Sequence, residues 1–564
     1  MRSLSASLVF LAASLACGQT ALQQAPLTAP PPTPVRPEFD YYFNAKIQDN
    51  YRWLEDGSSP EVTQWVAAQN TYTAAYMDRL PERNVILNEL RQRIQKEHTN
   101  YAGFQVVRGR LFALRFDPGQ PAPRLVVFSS PENIESEHVI LDAANFLPGK
   151  TFQVDWYRIS PDGRLAGLAL STGGSEDCSL YVVDTDTGRQ VGEVVPRVSF
   201  ATGGGDMAWN ADSSGFYYTR YPQGSERPAE DMNFYQQVYF HRLGRQPSQD
   251  LYILGKDFPR IAETTFAPSP DHTHLIISVA NGDGGQFEHF LLTPDGKIHP
   301  VTQFTDKIIY AVFGQDNSIW LLSRRNSNMG EILHIPGSED RLDHAQLIVH
   351  ASDASIEGHG TDPGRLFVAA DRLYLTVIRG GPEEIRVYSL SGQHLSDVKT
   401  PPVASIGELV PDGDRAFLFA ATTYTTPQQW YRATGSGDPA SLPFHVISDT
   451  SMDDIAVERV FATSKDGTHI PMTILMRKGT RLDGSSPALI TGYGGFGIST
   501  TPFFAARWHP WFDHGAILAI ANIRGGAEYG EDWHQAGMLT RKQNVFDDFA
   551  ACAQYLVTHN YTRS

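Results

Sequence analysis

The stretch Ala488-Leu489-Ile490-Thr491-Gly492-Tyr493-Gly494-Gly495-Phe496-Gly497 indicates the fold of the C-terminal part of this chain. A short apolar run leads directly into a glycine-rich turn that carries two aromatic rings. The pattern is typical of a buried strand whose carboxyl end opens into a loop, where α/β sheets place their ligand crevices. Glycines there permit positive φ angles and a close approach of a substrate to the backbone.

Strands and a helix surround this stretch. Residues 457–464 and 468–476 are predicted to form a hairpin around Asp466-Gly467, and residues 516–523 form another apolar strand. Asn544 is expected to cap a helix, with Asp547 at its third position and Asp548 next to it. The expected buried face of this helix contains Phe546, Phe549, Ala553 and Leu556. This order of elements predicts an α/β domain with a mostly parallel sheet.

An approximate β-repeat occupies the middle of the chain. Seven turn signals are each followed by a β-rich run, and they stand near the roughly 40–50-residue period of propeller blades. Seven marks with no helical segment between them favour a propeller over two β-sandwiches. The turns are Arg108-Gly109, Pro161-Asp162-Gly163, Asp212-Ser213-Ser214-Gly215, Pro270-Asp271, Asp316-Asn317, Ala370-Asp371 and Pro411-Asp412-Gly413.

The N-terminal part is predicted to contain a linker and two helices. Residues 22–37 are rich in proline and are expected to be extended. Ser59-Pro60-Glu61 is a typical helix start, and Pro81 separates this helix from the next one. Apolar residues at helical spacing are Val62, Trp65, Val66, Tyr72 and Tyr76 in the first helix, and Ile86, Leu90 and Ile94 in the second.

Length and charge limit the possible functions. At 564 residues the chain is too long for one core, and 41% hydrophobic residues argue against disorder. Forty-six basic and 63 acidic residues give a net charge of −17, which argues against nucleic acid as a partner. No stretch of the mature chain is long and apolar enough for a membrane helix.

The first residues are typical of a secretory signal peptide. Arg2 precedes an apolar run over residues 8–16 that is too short to span a bilayer. We expect export to the periplasm or the exterior, with lipid anchoring at Cys17 as a minor alternative because Ser14 and Leu15 fit a lipidation signal poorly.

Neither a disulfide framework nor a metal site is predicted. Cys178 and Cys552 are the other two cysteines and stand in different predicted domains. His272 and His274 alternate on a predicted strand and could contact one metal, but we interpret them as ordinary strand histidines because no third ligand is nearby. No cofactor is implied.

Several motifs together resemble the prolyl oligopeptidase family of serine peptidases. One departure is Ala527, where the family more often has a third glycine. The motifs are Tyr51-Arg52-Trp53-Leu54-Glu55-Asp56, Gly492-Tyr493-Gly494-Gly495-Phe496, Ala521-Asn522-Ile523-Arg524-Gly525-Gly526-Ala527-Glu528-Tyr529-Gly530-Glu531-Asp532-Trp533-His534 and Lys542-Gln543-Asn544-Val545-Phe546-Asp547-Asp548-Phe549.

The resemblance implies an α/β-hydrolase domain built from both ends of the chain, with a seven-bladed β-propeller inserted between them. The expected divisions are a signal peptide at 1–21, a linker at 22–37, a helical part of the hydrolase at 38–103, the propeller at 104–453 and the first part of the catalytic domain at 454–564. Family members cleave short peptides, mainly after proline, so the expected partner is a short peptide. We expect a monomer.

The nucleophile motif of α/β-hydrolases, Gly-x-Ser-x-Gly, does not occur in the 564 residues. By resemblance, the Ser, Asp and His of the triad would follow Ser564, so we expect the sequence to be a fragment that is inactive as it stands. A natural shortened protein is the other interpretation. Because a central strand would be missing, we expect the hydrolase part to be poorly soluble or partly unfolded.

The resemblance gives roles to three aromatic residues. Tyr493 is the expected oxyanion-hole donor, because a phenol keeps its proton at neutral pH and can donate it. Phe496 is expected to line the pocket for the proline ring, and Phe200 to face the substrate from the propeller. Plain packing is the alternative for each. We interpret Arg524, Glu528 and Asp548 as loop and cap residues.

Three functions are consistent with the sequence. The leading one is a secreted prolyl-oligopeptidase-type serine endopeptidase that acts through an acyl-enzyme. The second is a non-catalytic propeller that binds peptides or a partner, and the third is another oligopeptidase of the same fold, such as an acylaminoacyl-peptidase. A Gly-x-Ser-x-Gly motif encoded beyond codon 564 would favour an enzyme.

Overall fold

The computed structural model describes residues 29–94, 98–337, 340–358, 364–435 and 437–564. The predicted signal peptide, Cys17 and the first part of the proline-rich linker lie outside these residues. The chain divides into two compact units at residues 91 and 92, and each unit is described by itself.

The first unit contains a hairpin and two helices. The predicted helices are confirmed as α1 (Pro60–Met77) and α2 (Arg83–Ile94). Ser59 stands at the N-cap of α1, although its side chain makes no capping bond. The hairpin of β1 (Glu38–Tyr42) and β2 (Ala45–Asp49), which was not among the predicted elements, precedes them.

Seven antiparallel sheets follow one another along the second unit. Five have four strands, and the last two have five because their first strand is split into two short pieces. Blades 1 to 4 comprise β3 (Asn100–Val107), β4 (Arg110–Phe116), β5 (Arg124–Phe128), β6 (His138–Asp142), β7 (Phe152–Ile159), β8 (Leu165–Thr172), β9 (Cys178–Asp184), β10 (Val195–Ser199), β11 (Met207–Trp209), β12 (Gly215–Arg220), β13 (Gln237–Arg242), β14 (Leu251–Leu254), β15 (Ala262–Pro268), β16 (Leu275–Asn281), β17 (Phe287–Leu292) and β18 (Ile298–Thr302). Blades 5 to 7 comprise β19 (Ile308–Phe313), β20 (Ile319–Ser323), β21 (Glu331–Ile335), β22 (Gln346–His350), β23 (Ser355–Ile356), β24 (Leu366–Val368), β25 (Arg372–Ile378), β26 (Glu383–Ser389), β27 (His394–Val398), β28 (Ser405–Ile406), β29 (Val410–Asp412), β30 (Ala416–Thr422), β31 (Gln429–Ala433) and β32 (Ala440–His445).

The seven sheets form the predicted propeller. Each of the seven turn signals falls at the connection from the first strand, or its second piece, to the next strand of a blade. One apolar cluster joins each blade to the next, and a seventh joins blade 7 back to blade 1. At this last junction Phe104 stacks on Trp430 with ring centroids 4.0 Å apart, so side-chain packing closes the ring.

The remaining segment forms a four-stranded sheet with helices on both faces. Its elements are β33 (Ile455–Thr463), β34 (His469–Arg477), β35 (Ala488–Thr491), α3 (His509–Asp513), β36 (Ile517–Ala521), α4 (Glu531–Gln535) and α5 (Gln543–Thr558). The strand order is β33-β34-β36-β35. Helix α5 packs on one face through Val545, Cys552 and Leu556, and Phe512 of α3 packs on the other.

Two predictions about this sheet were wrong. Only β35 and β36 pair in parallel, because the Asp466-Gly467 turn makes β33 and β34 antiparallel and β36 joins β34 in the same sense. Strand β35 is not fully buried: Leu489 and Thr491 are exposed, because within the described residues β35 pairs with β36 alone and α5 covers one face.

The face of α5 also differs from the prediction. The helix begins at Gln543, so Asn544 lies inside its first turn and donates to the Ala536 carbonyl instead of capping. Its fully buried positions are Val545, Asp548, Cys552 and Leu556, whereas Phe546 is exposed. Leu556 is buried as predicted and Phe549 packs against the core, so the prediction fails at Phe546 and Ala553, in whose place Val545, Asp548 and Cys552 are buried.

The two cysteines of the second unit and the two neighbouring histidines occupy positions typical of structural residues. Cys178 and Cys552 are free and buried. His272 and His274 precede β16 in a turn and do not alternate on a strand; His272 has a positive φ of 56° and contacts the Trp209 carbonyl. Among the described residues, no cluster of three metal-ligating side chains is found. Within the same residues, no helix has the length and apolar character needed to cross a membrane.

Candidate functional site

The Gly492–Gly497 loop leaves the end of β35 and lies across the start of α5 and the end of β36. Gly494 has a φ of 66°, and a Cβ atom there would stand 2.6 Å from Val545 Cγ1. Gly525, with a φ of 98°, passes so close that a Cβ would stand 2.4 Å from the Gly494 carbonyl oxygen. Only glycine fits both requirements, since other residues would be strained and would clash.

Three hydrogen bonds hold the loop in place. The Lys542 ammonium donates to the Gly494 carbonyl at 2.6 Å. The Gly497 amide donates to the Gly525 carbonyl at 3.0 Å, and the Ile498 amide donates to the Gly495 carbonyl at the same distance. The loop is therefore fixed from α5 and from the turn that follows β36.

The two aromatic rings of the loop point outward. Tyr493 is 55% exposed and Phe496 is 56% exposed, although both are large side chains. Phe496 also has a φ of 56°, which is an outlier for a bulky residue and costs about 1–3 kcal/mol. The loop thus exposes a phenol and a phenyl ring, and the backbone at Phe496 is strained.

The third predicted site residue, Phe200, lies just after β10 in blade 2. Its ring centroid is 6.1 Å from that of Tyr221, and the Arg197 guanidinium lies 5.8 Å from its centre. The contacts described for Phe200 are to propeller residues, and none of them joins it to Tyr493 or Phe496. The structure therefore brings two of the three predicted residues together.

A buried ion pair fixes the turn beneath the loop. Arg524 donates to both carboxylate oxygens of Asp548, at 2.8 and 2.6 Å, and its backbone amide donates to Asp548 at 3.1 Å. Ser464 donates to the same carboxylate at 2.6 Å. Asp466 also accepts from Arg524, and this bond holds the Asp466 pKa well below its usual range. Arg524 and Asp548 are structural residues, as interpreted: Arg524 lies in the turn after β36, but Asp548 lies inside α5 and does not cap it.

Glu528 is a second buried carboxylate near the loop, and it lies in the turn between β36 and α4, as interpreted. It is 1% exposed, and one of its oxygens accepts from the Thr500 amide at 2.9 Å and from Asn522 Nδ2 at 3.2 Å. Its other oxygen has no hydrogen-bond partner among the described residues. Burial raises the pKa of Glu528 to about 6.

The propeller contacts this region directly. The Gly380 amide of blade 6 donates to the Glu528 carbonyl at 2.8 Å, and Arg459 donates to the Gly380 carbonyl at 2.7 Å. In blade 5, Asn328 accepts from the Glu531 amide at 2.8 Å and donates to Asp532 at 2.6 Å. The segment from Glu528 to Asp532 is therefore held against two blades.

Family models match both parts of the chain. The model described as "Prolyl oligopeptidase, N-terminal beta-propeller domain" matches residues 31–439, and the model "Prolyl oligopeptidase family" matches residues 502–564. The chain belongs to the prolyl oligopeptidase family. This confirms the resemblance drawn from the motifs around Tyr51, Tyr493 and Arg524.

Relatives within the family extend over most of the chain. A prolyl endopeptidase of Elizabethkingia miricola is 27% identical over 530 residues, which cover 93% of this chain and 72% of the relative. Prolyl oligopeptidase A of Amanita bisporigera is 26% identical over 574 residues, covering 92% and 71%.

Solved structures of the family have the same fold. One, from an analysis of two prolyl endopeptidases and their inter-domain dynamics, superposes with a TM-score of 0.83 at 26% identity and covers 94% of this chain and 77% of the other. Prolyl oligopeptidase B of Galerina marginata, bound to a 25mer macrocyclization substrate, superposes with a TM-score of 0.81 at 23% identity, covering 94% and 77%. These matches confirm the predicted combination of a propeller and a hydrolase region.

The sequence analysis missed the polar residues that support the Gly492–Gly497 loop. Lys542, Arg524 and Asp548 lie beneath it or beside it, yet none was assigned a role there. A signal was available for Asp548, which stands at i+3 from Val545 and at i−4 from Cys552 on the buried face of α5. An acid at a core position requires a cationic partner, and Arg524 was the charged residue next to the glycine turn.

Proposed function

We propose that this chain provides the propeller and the oxyanion-donor part of a serine-type endopeptidase that cleaves short peptides after proline. The exposed Tyr493 hydroxyl group carries the proposal. It stands on a glycine-rich loop at the carboxyl end of a strand, which is where α/β folds bind ligands. Prolyl endopeptidases are among the relatives, and they support this choice of substrate.

The chemistry assigned to Tyr493 is stabilisation of the oxyanion. When a nucleophile attacks a peptide carbonyl, negative charge develops on the oxygen, and a preorganised donor stabilises that charge. The bond that Lys542 donates to Gly494 and the bond that Gly525 accepts from Gly497 fix the loop, so Tyr493 is positioned before the substrate arrives. Phe496 supplies a flat apolar wall for a proline ring, and Phe200 is a further contact from the propeller.

We further propose that the 564 residues alone do not turn over substrate, since they contain no Gly-x-Ser-x-Gly sequence to supply an activated serine. The test compares the chain alone with a chimera. The chimera joins the chain to the part of the Elizabethkingia miricola prolyl endopeptidase that lies beyond the aligned region. Both are assayed with a peptide p-nitroanilide that has proline before the scissile bond, and with a matched alanine peptide.

The expected result is turnover by the chimera alone, with a strong preference for proline. Turnover by the 564-residue chain would overturn the proposed inactivity. A soluble, folded chimera that cleaves the alanine peptide as well as the proline peptide would overturn the proposed specificity. A chimera that cleaves neither but binds both would favour a non-catalytic propeller that binds peptides.

We also propose that the protein is exported and acts as a monomer. The charged start and apolar run before residue 17 support export. N-terminal sequencing of the protein from a periplasmic or culture fraction is expected to show cleavage near residue 21. A lipid-modified Cys17 at the mature N-terminus would support membrane anchoring instead, and retention of Met1 would contradict export.

A further inference from the structure

A cavity of about 650 Å³ lies beside the Gly492–Gly497 loop. It is situated between the propeller and the segment of residues 455–564, which we call the hydrolase segment. Residues of blades 4 and 5 and the loop between them form one wall, and residues 531–541 contribute the other. His534 belongs to that second wall, and its ring lies 3.6 Å from the position of a Cβ on Gly497. The cavity therefore adjoins the loop that carries Tyr493 and Phe496. Its volume is that of a ligand pocket, about 300–1,000 Å³.

The cavity has an excess of positive charge. Lys307, Arg324 and Arg541 line it, against the single carboxylate of Glu531. Glu531 itself accepts from Gln535 at 3.0 Å and lies 3.3 Å from His534 Nδ1. Counting the imidazole as neutral, the lining carries two positive charges in a protein whose net charge is −17. A basic pocket in an acidic protein attracts anionic ligands selectively.

Arg324 shows why a ligand would be favoured there. It is 8% exposed, and its guanidinium donates to neutral acceptors: the Asn328 carbonyl at 2.9 Å, Ser355 Oγ at 3.1 Å and the Ile356 carbonyl at 2.8 Å. Within the parts of the chain that the structure describes, no carboxylate lies within ion-pair distance of Arg324. Glu357 and Glu531 attract it only from farther away, and burial lowers its pKa.

The other two cations surround the same space. The Arg324 amide donates to the Lys307 carbonyl at 2.8 Å, which places both residues at one end of blade 5. Arg541 reaches the cavity from the short 3-10 helix Leu539–Arg541 on the opposite wall. Among the described residues, neither Lys307 nor Arg541 forms an ion pair. Lys307 and Arg541 are exposed at the rim of the cavity, whereas Arg324 is buried. A buried charge in a protein is normally paired, so a ligand that brings an anion would pair with Arg324 and be attracted by the two exposed cations.

We infer that this cavity binds a carboxylate of the peptide substrate, either its C-terminal carboxylate or an acidic side chain. The inference rests on the proposed peptide substrate and adds a preference to it. Phe304 and Met538 supply apolar surface for the rest of the bound residue. The cavity would act as a specificity subsite next to the Tyr493 loop, with the cations of blade 5 and of residue 541 as its determinants.

The test measures peptide binding by calorimetry to the 564-residue chain. Three acetylated, proline-containing pentapeptides are compared: one with a free C-terminal carboxylate and no other acid, one amidated with a glutamate, and one amidated without an acid. The variant Lys307→Gln/Arg541→Gln removes two cavity cations. The matched control Arg325→Gln/Arg507→Gln removes two exposed cations outside the cavity. Arg324 is left intact, because its bonds support the blade.

We expect at least one acidic peptide to bind about tenfold more tightly than the neutral peptide. The cavity variant should lose this preference, the control should keep it, and added salt should weaken it. A preference for the free C-terminus identifies the terminal carboxylate, and a preference for glutamate identifies a side chain. Equal binding of all three peptides, or a preference that survives in the cavity variant, would overturn the inference and leave peptide binding intact. A folded chain that binds none of them would contradict the proposed function as well.

Discussion

Tyr493 is the residue whose role is easiest to isolate, because its hydroxyl can be removed with little change of shape. In the active chimera described above, Tyr493→Phe is expected to lower kcat by about 10²–10³ with little change in KM, since the donor acts on charge that develops in the transition state. The measurement is steady-state kinetics with the proline p-nitroanilide. Tyr41→Phe, at another exposed tyrosine, is the control and should keep full activity. An unchanged kcat in Tyr493→Phe would show that the ring only packs.

Asp548 is expected to matter for stability more than any other carboxylate near the loop. Asp548→Asn leaves the buried Arg524 with the half-exposed Asp466 as its one remaining carboxylate partner among the described residues, so the free energy of unfolding should fall by about 3 kcal/mol. Urea unfolding followed by the fluorescence of the tryptophans measures the change. The control is Asp547→Asn, which removes a charge one residue away; among the described residues, that carboxylate accepts a hydrogen bond from Gln543 alone. A loss in Asp548→Asn no larger than in the control would contradict the importance of the ion pair.

At the scale of the element, the Gly492–Gly497 loop holds Phe496 in a conformation that favours glycine. Phe496→Gly and Phe496→Ala both remove the ring, but only glycine relieves the strain at a φ of 56°. We expect Phe496→Gly to be more stable than Phe496→Ala by about 1 kcal/mol. Both variants should bind a proline peptide more weakly than the wild-type chain. Thermal unfolding and calorimetry measure the two effects.

Two results would contradict this account of the loop. Equal stability of the glycine and alanine variants would show that the backbone is not strained by the side chain. Unchanged peptide affinity in both variants would show that the ring faces no ligand, and Phe496 would then be a surface residue without a role in binding.

Elements with local signals were predicted well from the sequence. The hairpin of β33 and β34 follows from Asp466-Gly467, the two helices before residue 95 follow from prolines and apolar spacing, and each blade was located by one turn. The errors concern partners that are distant in sequence. The buried face of α5 was predicted wrongly because an aspartate such as Asp548 is expected to face solvent. It is buried because Arg524, a partner distant in sequence, lies beside it. The burial of β35 was predicted wrongly because its own sequence does not show how many strands pair with it in the sheet.

The candidate site divides in the same way. Tyr493 and Phe496 were assigned from the resemblance of their loop to the prolyl oligopeptidase family, because the glycine-aromatic pattern alone leaves plain packing open as the alternative. The cations of the cavity come from positions 307, 324 and 541, which no local pattern connects. Their convergence depends on the packing of blades 4 and 5 against the hydrolase segment, so it is visible only in three dimensions.

For the whole molecule, the buried carboxylates between propeller and hydrolase segment predict a dependence on pH. Burial raises the Glu528 pKa from its usual value of about 4.5 to about 6. Glu357, which lies 3.4 Å from Ser499 Oγ, also has a raised pKa because of burial and the nearby Glu383. Between pH 4.5 and 6 the folded state therefore holds more protons than the unfolded state. This contribution to stability is greatest below that window and is lost as the pH rises through it.

Glu528→Gln should remove the part of this effect that Glu528 contributes and leave the part that Glu357 contributes. We expect the variant to be more stable than the wild-type chain above pH 6 by about 2 kcal/mol, with the difference disappearing near pH 4. Urea unfolding at a series of pH values measures it, and Glu193→Gln at an exposed site is the control. A stability difference that does not change with pH would show that Glu528 has an ordinary pKa in the folded protein.

The connections at the ring junction have a consequence for the order of folding during synthesis. Arg93 bonds Thr450 at 2.9 Å, and His98 lies 3.3 Å from Asp449, so the entry and the exit of the propeller are tied together. The ribosome makes about 5–20 residues per second, so residues 93 and 98 wait on the order of 20–70 seconds for their partners. All seven blades are synthesised during that interval. The ring can therefore assemble before the hydrolase sheet is complete, and these two contacts form as a late step that joins the two ends of the propeller.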